Sequence, residues 1–180
     1  MKVTTMPIEG VLIIEPSIFS DERGYFFESY NEPLFHKAGI SARFVQDNQS
    51  QSAKGVLRGL HFQNPPFEQG KLVRVVKGGV IDVAVDIRKA SPTYGNYVAV
   101  NLSADNQKMM WIPPGFAHGF VTLEDDTLFL YKCTNVYNKA SEGGIIWNDP
   151  SLHIDWGFEN PVVSSKDLEL RSFENLISVF

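Results

Sequence analysis

Four histidines, at positions 36, 61, 118 and 153, are the only imidazoles in this chain. Any general base or metal centre built on histidine must draw on them. A catalytic zinc site ordinarily takes three protein ligands, and two dispersed histidines without a His-x-His pair do not make one; carboxylate-assisted ligation is the remaining route to a metal. His61 stands in Gly59-Leu60-His61-Phe62 and His118 in Ala117-His118-Gly119-Phe120. A histidine in an apolar strand is by default a buried, hydrogen-bonded residue. The alternative is a general base, because imidazole titrates closest to neutrality. Asp167 has the chemistry to orient such a base. Arg23, Arg58, Lys71 and Lys166 have the chemistry to bind phosphate or carboxylate, against the simpler reading of solvated surface charge. Tyr131 shares a strand face with Phe129, which points to core packing with a hydrogen-bonded hydroxyl. Glu142-Gly143-Gly144 reads as a turn.

These groups need a scaffold, and the pattern between them is that of strands. Ile81, Val83, Val85 and Ile87 alternate with Asp82, Ala84, Asp86 and Arg88, which puts the apolar set on one sheet face. Further strands are predicted over Val11–Glu15, Tyr25–Tyr30, Phe44–Gln49, Val56–Phe62, Lys71–Val76, Tyr97–Leu102, Met109–Ile112, Gly119–Leu123 and Thr127–Asn135. Lys77-Gly78-Gly79, Ser91-Pro92-Thr93-Tyr94-Gly95, Pro113-Pro114-Gly115 and Glu124-Asp125-Asp126 supply turns. Helix signals are confined to Glu32–Ala38, ended by Gly39, and to a segment from Lys166 toward Phe173 capped by Ser164 or Ser165. Many short strands with Gly and Pro turns predict an all-β sandwich, barrel or jelly roll in a single domain over residues 1–180. In an unbroken strand Arg58 and His61 face opposite sides. Gly59, between them, is where a bulge would redirect one of the two.

The 180 residues, 43% hydrophobic and 12% aromatic, are enough to bury about 70% of the unfolded chain's surface, which argues against overall disorder. Lys plus Arg, 16, against Asp plus Glu, 21, leaves a net charge of -5. Broad binding to nucleic acid or to an anionic membrane is disfavoured, while a local cationic pocket for a small anion is compatible with it. Cys133 is the only cysteine, so an intrachain disulfide is excluded and the thiol fits a reducing compartment. No stretch approaches the ~20 apolar residues of a membrane-spanning helix, and Met1 to Pro7 has no apolar signal core. The expectation is a soluble, cytoplasmic protein.

Read together, the short segments carry more than any one of them. Asp21-Glu22-Arg23-Gly24-Tyr25-Phe26-Phe27-Glu28, Phe44-Val45-Gln46-Asp47-Asn48, Val56-Leu57-Arg58-Gly59-Leu60-His61-Phe62-Gln63 and Gln69-Gly70-Lys71-Leu72-Val73-Arg74 occur in that order. Asp82-Val83-Ala84-Val85-Asp86-Ile87-Arg88, Trp111-Ile112-Pro113, Ala117-His118-Gly119-Phe120, Leu130-Tyr131-Lys132, Trp147-Asn148-Asp149 and Ser165-Lys166-Asp167 follow. The series closely resembles the dTDP-4-dehydrorhamnose 3,5-epimerase family over most of the chain. Pro113 to Phe120 also resembles half of the cupin metal-binding pattern, whose other half is missing here.

The resemblance implies a cupin-like jelly roll, a double-stranded β-helix barrel, that works as a homodimer with an N-terminal dimerisation segment. It implies action on dTDP-4-dehydro-6-deoxy-D-glucose to give dTDP-4-dehydro-L-rhamnose, with no metal or other cofactor. By resemblance His61 is the general base, Asp167 its orienting partner, Tyr131 the proton donor and Lys71 the stabiliser of the enolate. Arg23, Glu28, Gln46, Asn48, Arg58, His118, Glu142 and Lys166 match positions that build the substrate and nucleotide site. The chemistry is coherent: hydrogens at C3 and C5 flank the C4 ketone, so removing either one spreads charge onto the ketone oxygen. An enzyme inverting one centre, a ketoisomerase, and a non-catalytic nucleotide-sugar-binding cupin are the rival readings. Tyr131 weighs against the ketoisomerase.

Overall fold

The computed structural model describes residues 1–180, and its strands divide between two facing sheets and a separate hairpin. The first sheet runs in the order β1 (Lys2–Thr5), β2 (Leu12–Glu15), β10 (Met109–Ile112), β7 (Lys71–Lys77), β12 (Thr127–Cys133) and β5 (Gln46–Ser52). The second runs β13 (Glu142–Gly144), β6 (Val56–Gln63), β11 (Phe116–Thr122), β8 (Gly79–Asp86) and β9 (Tyr97–Ser103), with β14 (Val162–Val163) added in parallel beside β6. Strands β3 (Phe19–Asp21) and β4 (Gly24–Phe26) form the hairpin. From β5 to β6, β7 to β8 and β9 to β10 the chain crosses from one sheet to the other, which makes the sandwich a cupin-like jelly roll.

Side chains alternate across each strand, so each sheet needs cover on two faces. Between the sheets lie Val73, Val75, Val80, Ala84, Phe116, Phe120 and Phe129. The outer face of the second sheet packs Leu57, Leu60, Val83, Val85 and Val121 against Leu152, Trp156 and other residues of the C-terminal segment. The outer face of the first is covered by Phe35 and Ile40, which meet Ile14, Leu72, Met109 and Trp111. Helix α1 (Glu32–Lys37) delivers Phe35 to that layer. Asn31 caps the helix by accepting from the Leu34 N–H, and Gly39, at φ +88°, lets the chain turn away after it.

Several predicted boundaries move, for identifiable reasons. The strand expected over Tyr25–Tyr30 survives only as Gly24–Phe26; beyond it Phe27 and Tyr30 fold against the outer apolar layer instead of extending a sheet. The strand expected over Phe44–Gln49 lies at Gln46–Ser52. That stretch, Gln-Asp-Asn-Gln-Ser-Gln-Ser, carries no β-branched signal, and pairing with β12 from Thr127↔Ser52 to Cys133↔Gln46 imposes its conformation. The helix expected from Lys166 toward Phe173 is one turn, α2 (Ser165–Leu168), capped by Ser164. A bridge between Ile145 and Arg171 pulls the following chain out of helix. Glu142–Gly144, read as a turn, is a strand paired with Gln63, Phe62 and His61 of β6.

Candidate active site

The opposite parity of Arg58 and His61 is resolved by a bulge. His118 pairs with His61 and Phe120 with Arg58, so Gly59 and Leu60 together oppose Gly119. Gly59 adopts φ +139°, and a Cβ there would meet the Gly119 Cα at 2.5 Å. Only glycine fits both the conformation and the approach. The extra residue turns Arg58 and His61 to the same side, and both line a cavity of about 640 Å³ between the sheets.

His61 is held from outside its own sheet. Its Nε2 lies 2.7 Å from Oδ1 of Asp167 in α2, and the other oxygen of that carboxylate accepts from the Gly59 N–H at 3.2 Å. An ionised carboxylate only accepts, so Nε2 carries the hydrogen and Nδ1 keeps the free lone pair. Burial alone would raise the Asp167 carboxyl. The hydrogen bonds from His61 and Gly59 outweigh it and hold the group below the usual carboxylate range. Ser164, capping α2 by accepting from the Asp167 N–H at 3.1 Å, fixes where the carboxylate stands.

Opposite His61 on β11 stands His118, with its Nε2 at 2.9 and 3.1 Å from the two oxygens of Asp82. Burial pushes the Asp82 carboxyl up and the His118 imidazole down. Lys71 and Tyr131 close the wall from β7 and β12, diagonal to each other because Tyr131 pairs with Val73. Desolvation lowers Lys71 below an ordinary lysine and raises Tyr131 above an ordinary phenol. Tyr131 therefore keeps its proton at neutral pH.

A second chamber of about 330 Å³ shares Asn48, His61, Lys71 and Tyr131 with the first and adds Gln46 and Glu142. Gln46 Nε2 donates to Asn48 Oδ1 at 3.0 Å. Glu142 accepts from Lys166 Nζ at 2.6 Å and from the Tyr137 hydroxyl at 3.1 Å. Of the residues singled out in the sequence, ten line these two chambers: His61, Asp167, Tyr131, Lys71, Gln46, Asn48, Arg58, His118, Glu142 and Lys166. Arg23 and Glu28 line neither. Arg23 sits in the β3–β4 hairpin paired with Asp21, and Glu28 accepts from Asn31.

Sequence reasoning passed over Asp82, Ser50, Ser52 and Tyr137. Ser50 lines the cavity with a buried hydroxyl that has no hydrogen-bond partner. The period of two through Gln46, Asn48, Ser50 and Ser52 was the available signal, masked because the strand is polar on both faces. No three His, Cys, Asp or Glu side chains converge in an arrangement suited to a metal ion.

A sequence profile of the dTDP-4-dehydrorhamnose 3,5-epimerase family matches residues 5–175. The chain is 55% identical over 174 residues to a dTDP-4-dehydrorhamnose 3,5-epimerase of Shigella flexneri, covering 96% of each chain. A crystal structure of the enzyme of that name from Elizabethkingia anophelis superposes with a TM-score of 0.93 at 47% identity, over 97% of both chains. A Legionella pneumophila dTDP-6-deoxy-D-glucose-3,5-epimerase, solved in complex with dTDP-4-keto-L-rhamnose, also gives 0.93, at 49% identity, over 98% of this chain and 94% of that one.

Proposed function

The chain belongs to the dTDP-4-dehydrorhamnose 3,5-epimerase family, and from that premise we propose that it inverts C3 and C5 of dTDP-4-dehydro-6-deoxy-D-glucose. The observation that carries the reading is the 2.7 Å His61–Asp167 pair opening onto a cavity that also presents Lys71 and Tyr131. Nδ1 of His61 removes the proton alpha to the C4 ketone, and the imidazolium that results faces the Asp167 carboxylate. The electron pair moves onto the ketone oxygen, where the Lys71 ammonium, made a better donor by its desolvation, stabilises it. Tyr131 delivers a proton to the opposite face of the carbon. Each inversion leaves His61 protonated and Tyr131 deprotonated, so one proton must pass between them through solvent before the second centre reacts. No hydride moves.

Arg58 and Lys166 take the diphosphate, and His118, Gln46, Asn48 and Glu142 the sugar and nucleoside. Arg23 and Glu28 come from the partner of a homodimer. Supporting this are the absence of both from the lining of the two chambers and the exposure of Phe19, Tyr25 and Phe26 around the hairpin, an edge that a second copy would cover. Light scattering at working concentration should find a dimer; monomer alone would refute the assignment. No helix is long and apolar enough to cross a membrane. A cytoplasmic location is supported by a chain whose single cysteine, Cys133, is buried and has no partner for an intrachain disulfide.

Incubation with dTDP-4-dehydro-6-deoxy-D-glucose in deuterated water tests the reaction. Deuterium should enter both C3 and C5 with inversion, read by NMR. Absence of deuterium at both positions would sink the epimerase reading in favour of a binding module.

A further inference from the structure

Arg58 differs from two other arginines in how it is held. Arg88 is tied to Asp86 and Arg23 to Asp21, each by a carboxylate that neutralises it. The acceptor for Arg58 is a neutral hydroxyl. Ser52 Oγ accepts from both Nε and one terminal nitrogen of the guanidinium, each at 3.2 Å, and no carboxylate lies within ion-pair distance of Arg58.

The hydroxyl itself has a fixed origin. Ser52 is 7% exposed and ends β5, the edge strand of the first sheet, while Arg58 belongs to the second and lines the cavity, so the contact ties the two sheets through a cavity-lining side chain. The intervening turn is anchored independently. The Gly55 N–H donates to the Thr122 carbonyl at 2.8 Å, the Lys54 N–H to Asp125 Oδ1 at 2.9 Å, and the Val56 N–H to Thr122 Oγ1 at 3.1 Å. An arginine has large rotamer freedom to lose on binding an anion. A neutral acceptor on a rigid turn removes much of that freedom in advance and leaves the whole positive charge, with the remaining N–H groups, for the ligand.

We propose that Ser52 is a positioning residue for diphosphate recognition, acting through Arg58. The inference rests on Arg58 contacting the diphosphate, as read above. A carboxylate in the same place would hold the side chain equally well but compete with the phosphate for it. Ser52 supplies orientation without that competition.

The test is a double-mutant cycle on dTDP binding, measured by calorimetry, together with steady-state kinetics. Ser52→Ala should weaken dTDP by about 3- to 10-fold and raise KM similarly, with kcat within about two-fold. Ser52→Cys, which keeps the volume but accepts poorly, should behave like the alanine variant, and Ser52→Thr should restore affinity. In an Arg58→Ala background, itself weakened, removing the Ser52 hydroxyl should cost nothing further. Additive losses would mean that Ser52 acts through general packing, and wild-type affinity in folded Ser52→Ala and Ser52→Cys would overturn the proposal directly. Unchanged affinity in Arg58→Ala would remove Arg58 from the diphosphate reading and the proposal with it, which separates the two failures.

Discussion

Two histidine–carboxylate pairs stand opposite each other across β6 and β11, and they are built differently. The His61 side chain is 32% exposed and its Asp167 partner arrives on a short helix from the far end of the chain. The His118 side chain is 7% exposed, and its partner Asp82 comes from the neighbouring strand and is wholly buried. Both imidazoles are oriented by the same kind of bond. Access and desolvation separate them: the His61 ring opens onto the cavity and to solvent, while burial opposes charging of the sealed His118 ring. An orienting carboxylate alone therefore does not identify a general base.

The sharpest way to break this comparison is to remove each ring in turn. His61→Ala should lower deuterium exchange at C3 and C5 by about 10³-fold, within the range for general acid–base groups, while dTDP affinity stays near wild type. His118→Ala should retain exchange and lose substrate affinity instead. If His118→Ala were the variant that abolished exchange, the two assignments would have to be swapped.

A smaller effect is expected on the wall that serves both pairs. Tyr131→Phe deletes one hydroxyl and keeps the ring that packs beside Phe129. Inversion should fall by about 10²-fold while proton removal continues, so the product in deuterated water would carry deuterium with retained configuration, or inversion at one centre only. A folded variant with the wild-type ratio of exchange to inversion at both carbons would take the donor role away from Tyr131.

The smallest effect concerns stability, where the two carboxylates should differ in sign. The folded-state pKa of Asp167 is lowered, so its stabilisation is complete above the unfolded value of ~3.9 and is lost as the pH falls. That of Asp82 is raised by burial, so its contribution is complete below ~3.9 and is lost as the pH rises through the folded value. In thermal melts between about pH 3 and pH 7, the Tm deficit of Asp167→Asn relative to wild type should grow with pH, and that of Asp82→Asn should shrink, each by a few degrees. Parallel deficits would mean that the carboxylates titrate alike and that burial does not distinguish them.

Much of the site was legible before the fold was known, though for uneven reasons. Met109–Ile112 begins and ends where its apolar run does, and Gly59 announced a bulge because two chemically useful residues sat at incompatible parity. Other features had no local signal. Strand β5 is polar throughout and exists because β12 lies beside it. Glu142–Gly144 looks like a turn until Phe62 packs against Gly143, where a side chain would collide with its ring.

The sequence by itself determined the inventory: which groups can carry a proton, which can hold an anion, and, wherever a strand runs without a bulge, which of its residues share a face. Only the tertiary structure decided which face became the inside. On β8 the alternation separates Ile81, Val83 and Val85 from Asp82, Ala84 and Asp86, and an isolated sheet would turn the aspartates to water. Here Ile81, Val83 and Val85 point away from the barrel, under the C-terminal segment, while Asp82 is buried within it beside His118. A period of two specifies two faces and is silent on which one is covered, because that depends on chain far away in sequence. Asp167, 106 residues from His61, reaches it by the same route: contacts at that separation are selected by the packing of whole sheets, and no local pattern encodes them.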